Sequence, residues 1–507
     1  MTVSGPSRAR RLFAGWSANL LQMMLGITQQ VALIPVFLHF WTSDVLAAWL
    51  AVYAAGNLVV IADAGLQFRA INRFLAFKSS VDCDGRTARF YAAMLRIYFG
   101  FMGSLAVLLL VITQMLPPSA VLGFRATSHF DAAFLIMTAG LLLTLPTNLT
   151  TALYRARGLY GRAVTIQSMA MLTSQLGQLA AVVMTGSLLA VAIAYVATQM
   201  AVAAYFLVVD ANRLFPFLRG ARARQSWPWV IGQFRLGAPF VVGSATEMAL
   251  LNLPVLLVSA FVSDRVAVAQ WGLTRVVAGL LRALCIQTTL PLAAELGHDY
   301  AVGLNERLRN LYARGSVFLA LLASLVVSGL LPFWPDFFAL WTRGAIPYDP
   351  QLTITLLIGT GVIAPSILAL GYANYSNRGK LVARTKGLQL AVFLILSVVL
   401  IRVMGPLGAA IAIVASDLLV QFGLLGAIII GQTLQQPLRH VAFLAAVMTV
   451  VTLGGWGLGM VIRSLVPWTG LTGFVVECTL WLVIVALIAS PLLSRDLRDR
   501  LIAAIPR

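Results

Sequence analysis

Long apolar runs follow one another along almost the whole chain, separated by short segments that carry charges, prolines and glycines. A membrane-spanning helix needs about 20 mostly apolar residues at a rise of about 1.5 Å per residue. No connection is long enough for a soluble domain, so the pattern predicts an all-α polytopic membrane protein. Cutting at the polar segments gives about fourteen helices, near 16–38, 45–62, 90–115, 130–152, 163–184, 188–209, 236–260, 267–292, 315–334, 351–375, 387–403, 406–430, 441–461 and 471–490.

Composition and charge agree with a location in lipid. Of the 507 residues 60% are hydrophobic and 10% are charged, against about 25% charged in soluble domains. The net charge of +19 would suggest nucleic acid in a soluble protein, but most of the 36 lysines and arginines fall in alternate connections. Because basic residues resist translocation, this asymmetry predicts cytoplasmic termini and a multi-pass protein of the bacterial inner membrane.

A recurring pattern indicates two related halves. Tyr-x-x-Arg-Gly closes the fourth predicted helix at Tyr154–Gly158 and the tenth at Tyr375–Gly379. A tryptophan and a proline recur at nearly the same separation, at Trp49 and Trp271 and at Pro146 and Pro365. We therefore predict a six-helix lobe over 1–235 and a second over 236–440, related by a parallel pseudo-twofold repeat. Residues 441–507 would add two helices and a cytoplasmic tail.

Two arginines lie inside the eighth predicted helix. Arg275 and Arg282 are seven residues apart, and an arginine at a helix centre costs about 2.5–3.5 kcal/mol on insertion scales. Lipid exposure is therefore unfavourable for both. They would either pair with a carboxylate or form a cationic surface for an anionic headgroup, and Arg275 is the stronger substrate candidate. Glu247 is the nearest acidic candidate in sequence, with Asp417 and Glu477 as others.

Amide side chains form stripes on two predicted helices of the first lobe. The stripes either bind helices together, at about 0.6 kcal/mol per contact, or line a polar cavity for a hydroxyl-rich substrate such as a sugar. Because two helices of one lobe carry them, we favour the cavity. The stripes comprise Asn19, Gln22, Gln29 and Gln30 on the first helix and Gln175 and Gln178, with Gln167 and Ser174, on the fifth.

The sequence predicts no catalysis, cofactor or metal site. It contains no G-x-x-x-x-G-K-[ST] motif for ATP and no CxxC or Cys/His cluster. Transport would then be driven by an ion gradient, the membrane potential or removal of the substrate. No carboxylate pair or Ser/His/Asp set stands out, so an enzyme is not expected.

Two short segments resemble the polysaccharide flippases of the O-antigen and exopolysaccharide type. The first is the exit of the second helix, Ile61–Gln67, in which Asp63 and Gly65 form a D-x-G-L turn ahead of a basic segment. The second is Tyr154–Gly158, with Arg157 and Gly158, which is repeated at Arg378 and Gly379. The family belongs to a superfamily that also holds lipid II flippases and multidrug and toxin extrusion antiporters.

The resemblance implies export of a polyprenyl-pyrophosphate-linked oligosaccharide across the inner membrane by alternating access. Membrane lipids and polysaccharide polymerase or export machinery would be its partners, with no nucleic acid. The polar residues identified above fit such a substrate: Arg275 would bind the pyrophosphate, with Arg282 and Glu247 also in the binding site, and the amides would bind the sugars. The chain departs from the family at the entry of the second helix, where it reads Ala47-Ala48-Trp49 and lacks the usual glycine.

Three functions other than a flippase are considered as alternatives, and the sequence argues against the first two. A cation antiporter on the same fold should hold a carboxylate inside the first lobe, where Asp63 and Asp131 are predicted at helix ends only. A membrane glycan polymerase or glycosyltransferase should have a large outer loop or an acidic cluster, and the chain has neither. A non-transporting scaffold of an envelope complex is compatible with the sequence.

Overall fold

Helices account for almost all of the chain, and no β-strand occurs among the residues that the structure describes. The structure is a computed structural model. It describes residues 21–28, 31–63, 65–77, 82, 84–223, 225–376, 378–468, 470–493 and 499. Two compact units divide the chain, Met1–Arg265 and Val266–Arg507.

The first unit begins with the span Leu21–Phe40 (α1) and ends with one long helix. Two of its spans change helical type along their length. Helix α2 (Ser43–Leu58) passes into a 3-10 turn at Val59–Asp63, and α8 (Leu188–Ala204) passes into a π-helix at Tyr205–Asp210 and a short helix at Ala211–Leu214. Short helical turns lie at Pro118–Val121 and Pro216–Leu218. The other helices are α2 Ser43–Leu58, α3 Leu66–Ala76, α4 Arg86–Met115, α5 Phe130–Thr144, α6 Thr147–Ala156, α7 Tyr160–Thr185, α8 Leu188–Ala204 and α9 Trp227–Phe261.

The second unit consists of longer helices. Its α14 continues as a π-helix over Asp417–Gly426 and then as α15, and the unit closes with a 3-10 turn at Ser490–Leu493. Within it α11 packs on α12 and α16, and α13 packs on α14. The helices are α10 Arg265–Val302, α11 Asn305–Trp341, α12 Pro350–Tyr375, α13 Gly379–Met404, α14 Pro406–Ser416, α15 Ala427–Thr433, α16 Pro437–Leu465 and α17 Gly470–Ala489.

Thirteen helical segments of the described residues are long and apolar enough to cross a membrane. The fifth predicted span coincides with α7, which has 26 residues but falls short in apolar character because glutamines and other polar residues interrupt it. The predicted all-α polytopic fold is confirmed. Helices such as α10 and α11 extend beyond their apolar runs, since charged residues at a helix end can lie outside the hydrocarbon layer.

A tight turn joins the second span to α3. Gly65 has φ +71°, a left-handed conformation that disfavours other residues. One oxygen of the Asp63 carboxylate accepts a hydrogen bond from the backbone N–H of Gln67 at 3.1 Å, which satisfies a free donor of the first turn of α3. A Cβ atom at Gly65 would lie 2.3 Å from the carbonyl oxygen of Gly237 on α9. The turn thus depends on glycine for both conformation and space.

We expect Gly65→Ala to destabilise the first unit by about 1–3 kcal/mol from backbone strain, and by more because the backbone of α9 must move. The measurement is the apparent Tm of the purified protein in detergent. Gly85→Ala is the matched control, since Gly85 has φ +76° with no atom within 4 Å of the added Cβ. Equal losses of Tm in the two variants would show that the contact with α9 does not matter.

Candidate functional site

A salt bridge lies inside the second unit, between two of its membrane-spanning helices. Arg282 on α10 donates through Nη1 to Oδ2 of Asp417 at 2.8 Å. Asp417 begins the π-helix of its span and is 1% exposed. A buried charge is tolerated in a membrane only with a partner, and the bridge supplies one for Arg282. Asp417 is one of the carboxylates that the sequence offered.

The salt bridge continues into a chain of hydrogen bonds that passes through a buried lysine between two glutamines and ends on a serine. The other oxygen of Asp417 accepts from Nε2 of Gln389 at 2.5 Å. Lys386 donates through Nζ to Oε1 of Gln389 at 2.9 Å and to Oε1 of Gln421 at 2.6 Å. Gln421 in turn donates to the hydroxyl of Ser366 at 3.0 Å. We call these six residues, Arg282, Asp417, Gln389, Lys386, Gln421 and Ser366, the buried polar network.

Helical spacing explains why these side chains meet. Lys386 and Gln389 are three residues apart on α13, and Asp417 and Gln421 are four apart along the π-helix, so each pair shares one face. A π-helix widens the turn and often occurs at functional sites. Ser366 follows Pro365 inside α12, where proline removes one backbone hydrogen bond.

The six members of the buried polar network have a surplus of positive charge among them. They include two cations, Arg282 and Lys386, and one carboxylate, Asp417, so together they carry one net positive charge. Lys386 is 2% exposed, and the two acceptors described above are neutral amide oxygens. Amides stabilise an ammonium by hydrogen bonding without cancelling its charge. The network therefore holds two cationic side chains inside the second unit.

The other predicted headgroup residues are distributed between the two units. Arg275 lies on α10, two helical turns before Arg282, and is partly exposed. Glu247 lies on α9 of the first unit and is also partly exposed. Glu477 is buried on α17. Within this predicted set, the structure joins Arg282 directly to Asp417.

The amides of α7 make contacts between and within helices. Gln175 donates to the backbone carbonyl of Leu25 on α1 at 2.7 Å, which joins the two helices. Gln178 donates to the carbonyl of Ser174 at 3.1 Å, and its Oε1 is buried without a hydrogen-bond partner. Gln22 is partly buried on α1. Three members of the other predicted stripe, Asn19, Gln29 and Gln30, lie outside the described residues.

Two carboxylates are buried in the first unit, contrary to their expected absence. Asp63 accepts at Oδ1 from the Tyr98 hydroxyl at 2.6 Å and from Asn148 at 3.1 Å. Asp210 accepts from the Tyr154 hydroxyl at 2.5 Å and from Nε of Arg162 at 3.1 Å. Sequence reasoning placed Asp63 at a helix end, and a helix end here is buried because α4 and α6 cover it.

The two Tyr-x-x-Arg-Gly segments have different surroundings. In the first, Arg157 donates to Asp82 at 2.5 and 2.9 Å and to the Phe74 carbonyl at 2.9 Å, and Gly158 has φ +74°. In the second, Tyr375 is exposed, and Arg378 lies 5.6 Å from the ring centres of Tyr300 and Tyr372 and donates to Gln432. Gly379 begins α13 in a helical conformation.

Four members of the buried polar network were missed by sequence reasoning, namely Lys386, Gln389, Gln421 and Ser366. Helix α13 begins at Gly379 in the structure, whereas the predicted apolar run begins at 387, because the charge of Lys386 interrupts the apolar pattern. The i, i+3 spacing of Lys386 and Gln389 beside an apolar run was the available signal. A polar pair at this spacing, with a second one at Asp417 and Gln421, indicates facing polar stripes.

Known structures share this fold. A structure of the lipid II flippase MurJ in an inward closed conformation has a TM-score of 0.70 at 11% identity, covering 95% of this chain and 99% of that one. An inward-facing multidrug resistance MATE transporter of the MOP superfamily gives 0.61 at 12% identity, covering 84% and 99%. A single-residue mutant of the Vibrio cholerae MATE transporter VcmN gives 0.54 at 16% identity, covering 82% and 94%.

At these identities the likeness establishes the fold. The chain is thus a multi-pass membrane protein with the fold of MurJ and of the MATE transporters, which confirms the resemblance at that level. No protein-family model matches the sequence, and no curated protein matches it.

We expect Asp417→Asn to cost about 3–5 kcal/mol, because it leaves the guanidinium of Arg282 buried without its carboxylate. The double variant Arg282→Met with Asp417→Leu should regain most of that stability, since it removes both charges. The measurement is the apparent Tm in detergent.

The salt bridge of Arg463 with Asp336 provides a matched control. It has the same 2.8 Å distance, but its side chains are 36% and 41% exposed. Asp336→Asn should therefore cost only about 0–1 kcal/mol. If Asp417→Asn lowered Tm no more than Asp336→Asn does, the network would not be the buried charged site described above.

Proposed function

We propose that this protein is a flippase that moves a polyprenyl-pyrophosphate-linked oligosaccharide across the bacterial inner membrane during polysaccharide biosynthesis. The single observation that carries the proposal is the likeness to the lipid II flippase MurJ over 95% of this chain. That protein is a flippase for a lipid, so the shared fold is suited to a lipid substrate. Transport would proceed by alternating access without ATP hydrolysis by the chain, with both termini in the cytoplasm.

The charges of the second unit suit an anionic headgroup. A pyrophosphate linkage carries negative charge and accepts hydrogen bonds, and arginine binds phosphate oxygens through two parallel donors. Arg275 is partly exposed, and Arg282 donates to Asp417 two helical turns further along the same helix. We assign Arg275 to direct contact with the pyrophosphate and the buried polar network to a positive potential behind it.

Amides would serve the sugar part of the substrate. Gln178 has a buried side-chain oxygen without a partner, and Gln22 is partly buried on the adjoining helix. Sugar hydroxyls donate and accept hydrogen bonds, so amides are suitable partners. Gln175 is already engaged with the backbone of Leu25, which favours a structural role for that residue.

A cation antiporter is the second candidate, and the buried carboxylates of the first unit favour it. Asp63 and Asp210 are both almost fully buried, and organic cations are bound by intramembrane carboxylates. Both carboxylates already accept hydrogen bonds from two or more donors of the protein. That engagement makes the antiporter the weaker candidate.

Deletion of the gene should abolish surface polysaccharide and accumulate its undecaprenyl-linked precursor on the cytoplasmic side. The measurement is extraction of lipid-linked oligosaccharides, with their sidedness determined by an enzyme that cannot cross the membrane. Complementation with the intact gene should restore export. If the deletion strain kept its surface polysaccharide and became less resistant to cationic compounds, the flippase function would be rejected in favour of the cation antiporter.

Arg275→Ala should lower export about ten-fold or more at normal membrane abundance, because it removes a charged hydrogen bond worth about 1.5–3 kcal/mol. The readout is the surface polysaccharide of the deletion strain that carries the variant. Arg125→Ala, at an exposed arginine of a connection, is the control and should export normally. Normal export by Arg275→Ala would remove the headgroup assignment while leaving the flippase itself open to the deletion test.

A further inference from the structure

A groove opens on the first unit between α4, α5 and the end of α8. Its volume is about 650 Å³, within the range of small-molecule sites. Its lining is mostly apolar and includes the alanines Ala92, Ala203 and Ala204, together with larger exposed side chains such as Phe99 and Met200. The π-helix Tyr205–Asp210 places Leu207 and Val208 along it.

A basic turn forms one end of the groove. Leu218, Arg219, Gly220 and Ala221 line it there, and the arginine is exposed. Gly220 has φ +70° with no atom within 4 Å of an added Cβ, so its backbone is open to a ligand. Arg96 of α4 donates to the carbonyl of Ala223 at 2.5 Å and thereby fixes the turn beside the groove.

The charge around this end has a single sign. The sequence from 211 to 246 contains no aspartate or glutamate and five arginines, and Asp210 is occupied by Tyr154 and Arg162. Trp227, which is 78% exposed, follows the turn. Tryptophan concentrates at the level of lipid headgroups, so the turn lies where an apolar layer meets charged phosphates.

We propose that this groove binds one anionic phospholipid, with an acyl chain along the apolar lining and the phosphate at Arg219. An apolar trough that ends on a cation matches the two parts of such a lipid, and its phosphate would accept from the guanidinium and the exposed turn. The lipid belongs to the leaflet that contains the turn, which is the cytoplasmic leaflet in the predicted topology. The site is separate from the buried polar network and does not depend on the transported substrate.

The experiment measures binding of dioleoylphosphatidylglycerol to the full chain in detergent by native mass spectrometry. The same titration with dioleoylphosphatidylethanolamine, which has no net charge, is the lipid control. Arg219→Gln should weaken phosphatidylglycerol binding about five-fold, the effect of one basic side chain near a membrane surface. Arg222→Gln is its matched control, because Arg222 is an exposed arginine of the same segment outside the lining.

A second pair of variants tests the acyl chain. Ala204→Trp fills the groove from α8 and should reduce binding of phosphatidylglycerol, whereas Ala201→Trp, at an exposed position of α8 outside the lining, should leave it unchanged. Retention time on size exclusion and apparent Tm identify a variant that fails to fold. If a variant of one pair fails to fold, the binding results of the other pair test the proposal. The proposal is overturned if Arg219→Gln and Arg222→Gln weaken binding equally, if Ala204→Trp binds normally, or if the groove retains a polyprenyl phosphate instead of phospholipid.

Discussion

A charge in the hydrocarbon layer has no water to solvate it, so the protein must supply every hydrogen-bond partner that the charge needs. The second unit meets this demand at Asp417, which accepts from both Arg282 and Gln389. Three helical spans have to keep a fixed rotation about their axes for those contacts to persist. The same constraint holds Lys386 between two glutamines. Packing of the apolar faces can then vary in detail while the polar contacts fix which faces meet.

The first unit meets the same demand with separate small clusters. Asp63 is bound by a tyrosine, an asparagine and a backbone N–H, and Asp210 by a tyrosine and an arginine. Both clusters lie where a span ends or changes helical type, so the carboxylates stabilise irregular backbone. The polar contacts of the first unit thus shape its turns, whereas those of the second unit connect neighbouring helices within their spans.

The fold was predictable because hydropathy, loop charge and helix length all follow from the solvent properties of a bilayer. The individual side-chain contacts were less predictable from the sequence than the fold. Arg282 was recognisable inside an apolar run, but its salt bridge with Asp417 depends on helix packing that no single span encodes. Lys386 was left out of the predicted helix because the prediction ended each helix at the first charged residue. That rule excludes any charged residue that is buried inside a membrane-spanning helix. Asp63 was identified by its motif, yet its burial comes from Tyr98 and Asn148 on other helices.

The use of glutamines around Lys386 has a consequence for the charge of the site. A second carboxylate in place of Gln389 or Gln421 would have stabilised the lysine more directly, and it would have made the numbers of cations and carboxylates in the buried polar network equal. The two amide oxygens accept hydrogen bonds from the ammonium without adding negative charge to the network. Burying a lysine in a low-dielectric region is costly. In the proposed function, Lys386 is kept there because a buried cation favours an anionic substrate such as a pyrophosphate over an organic cation.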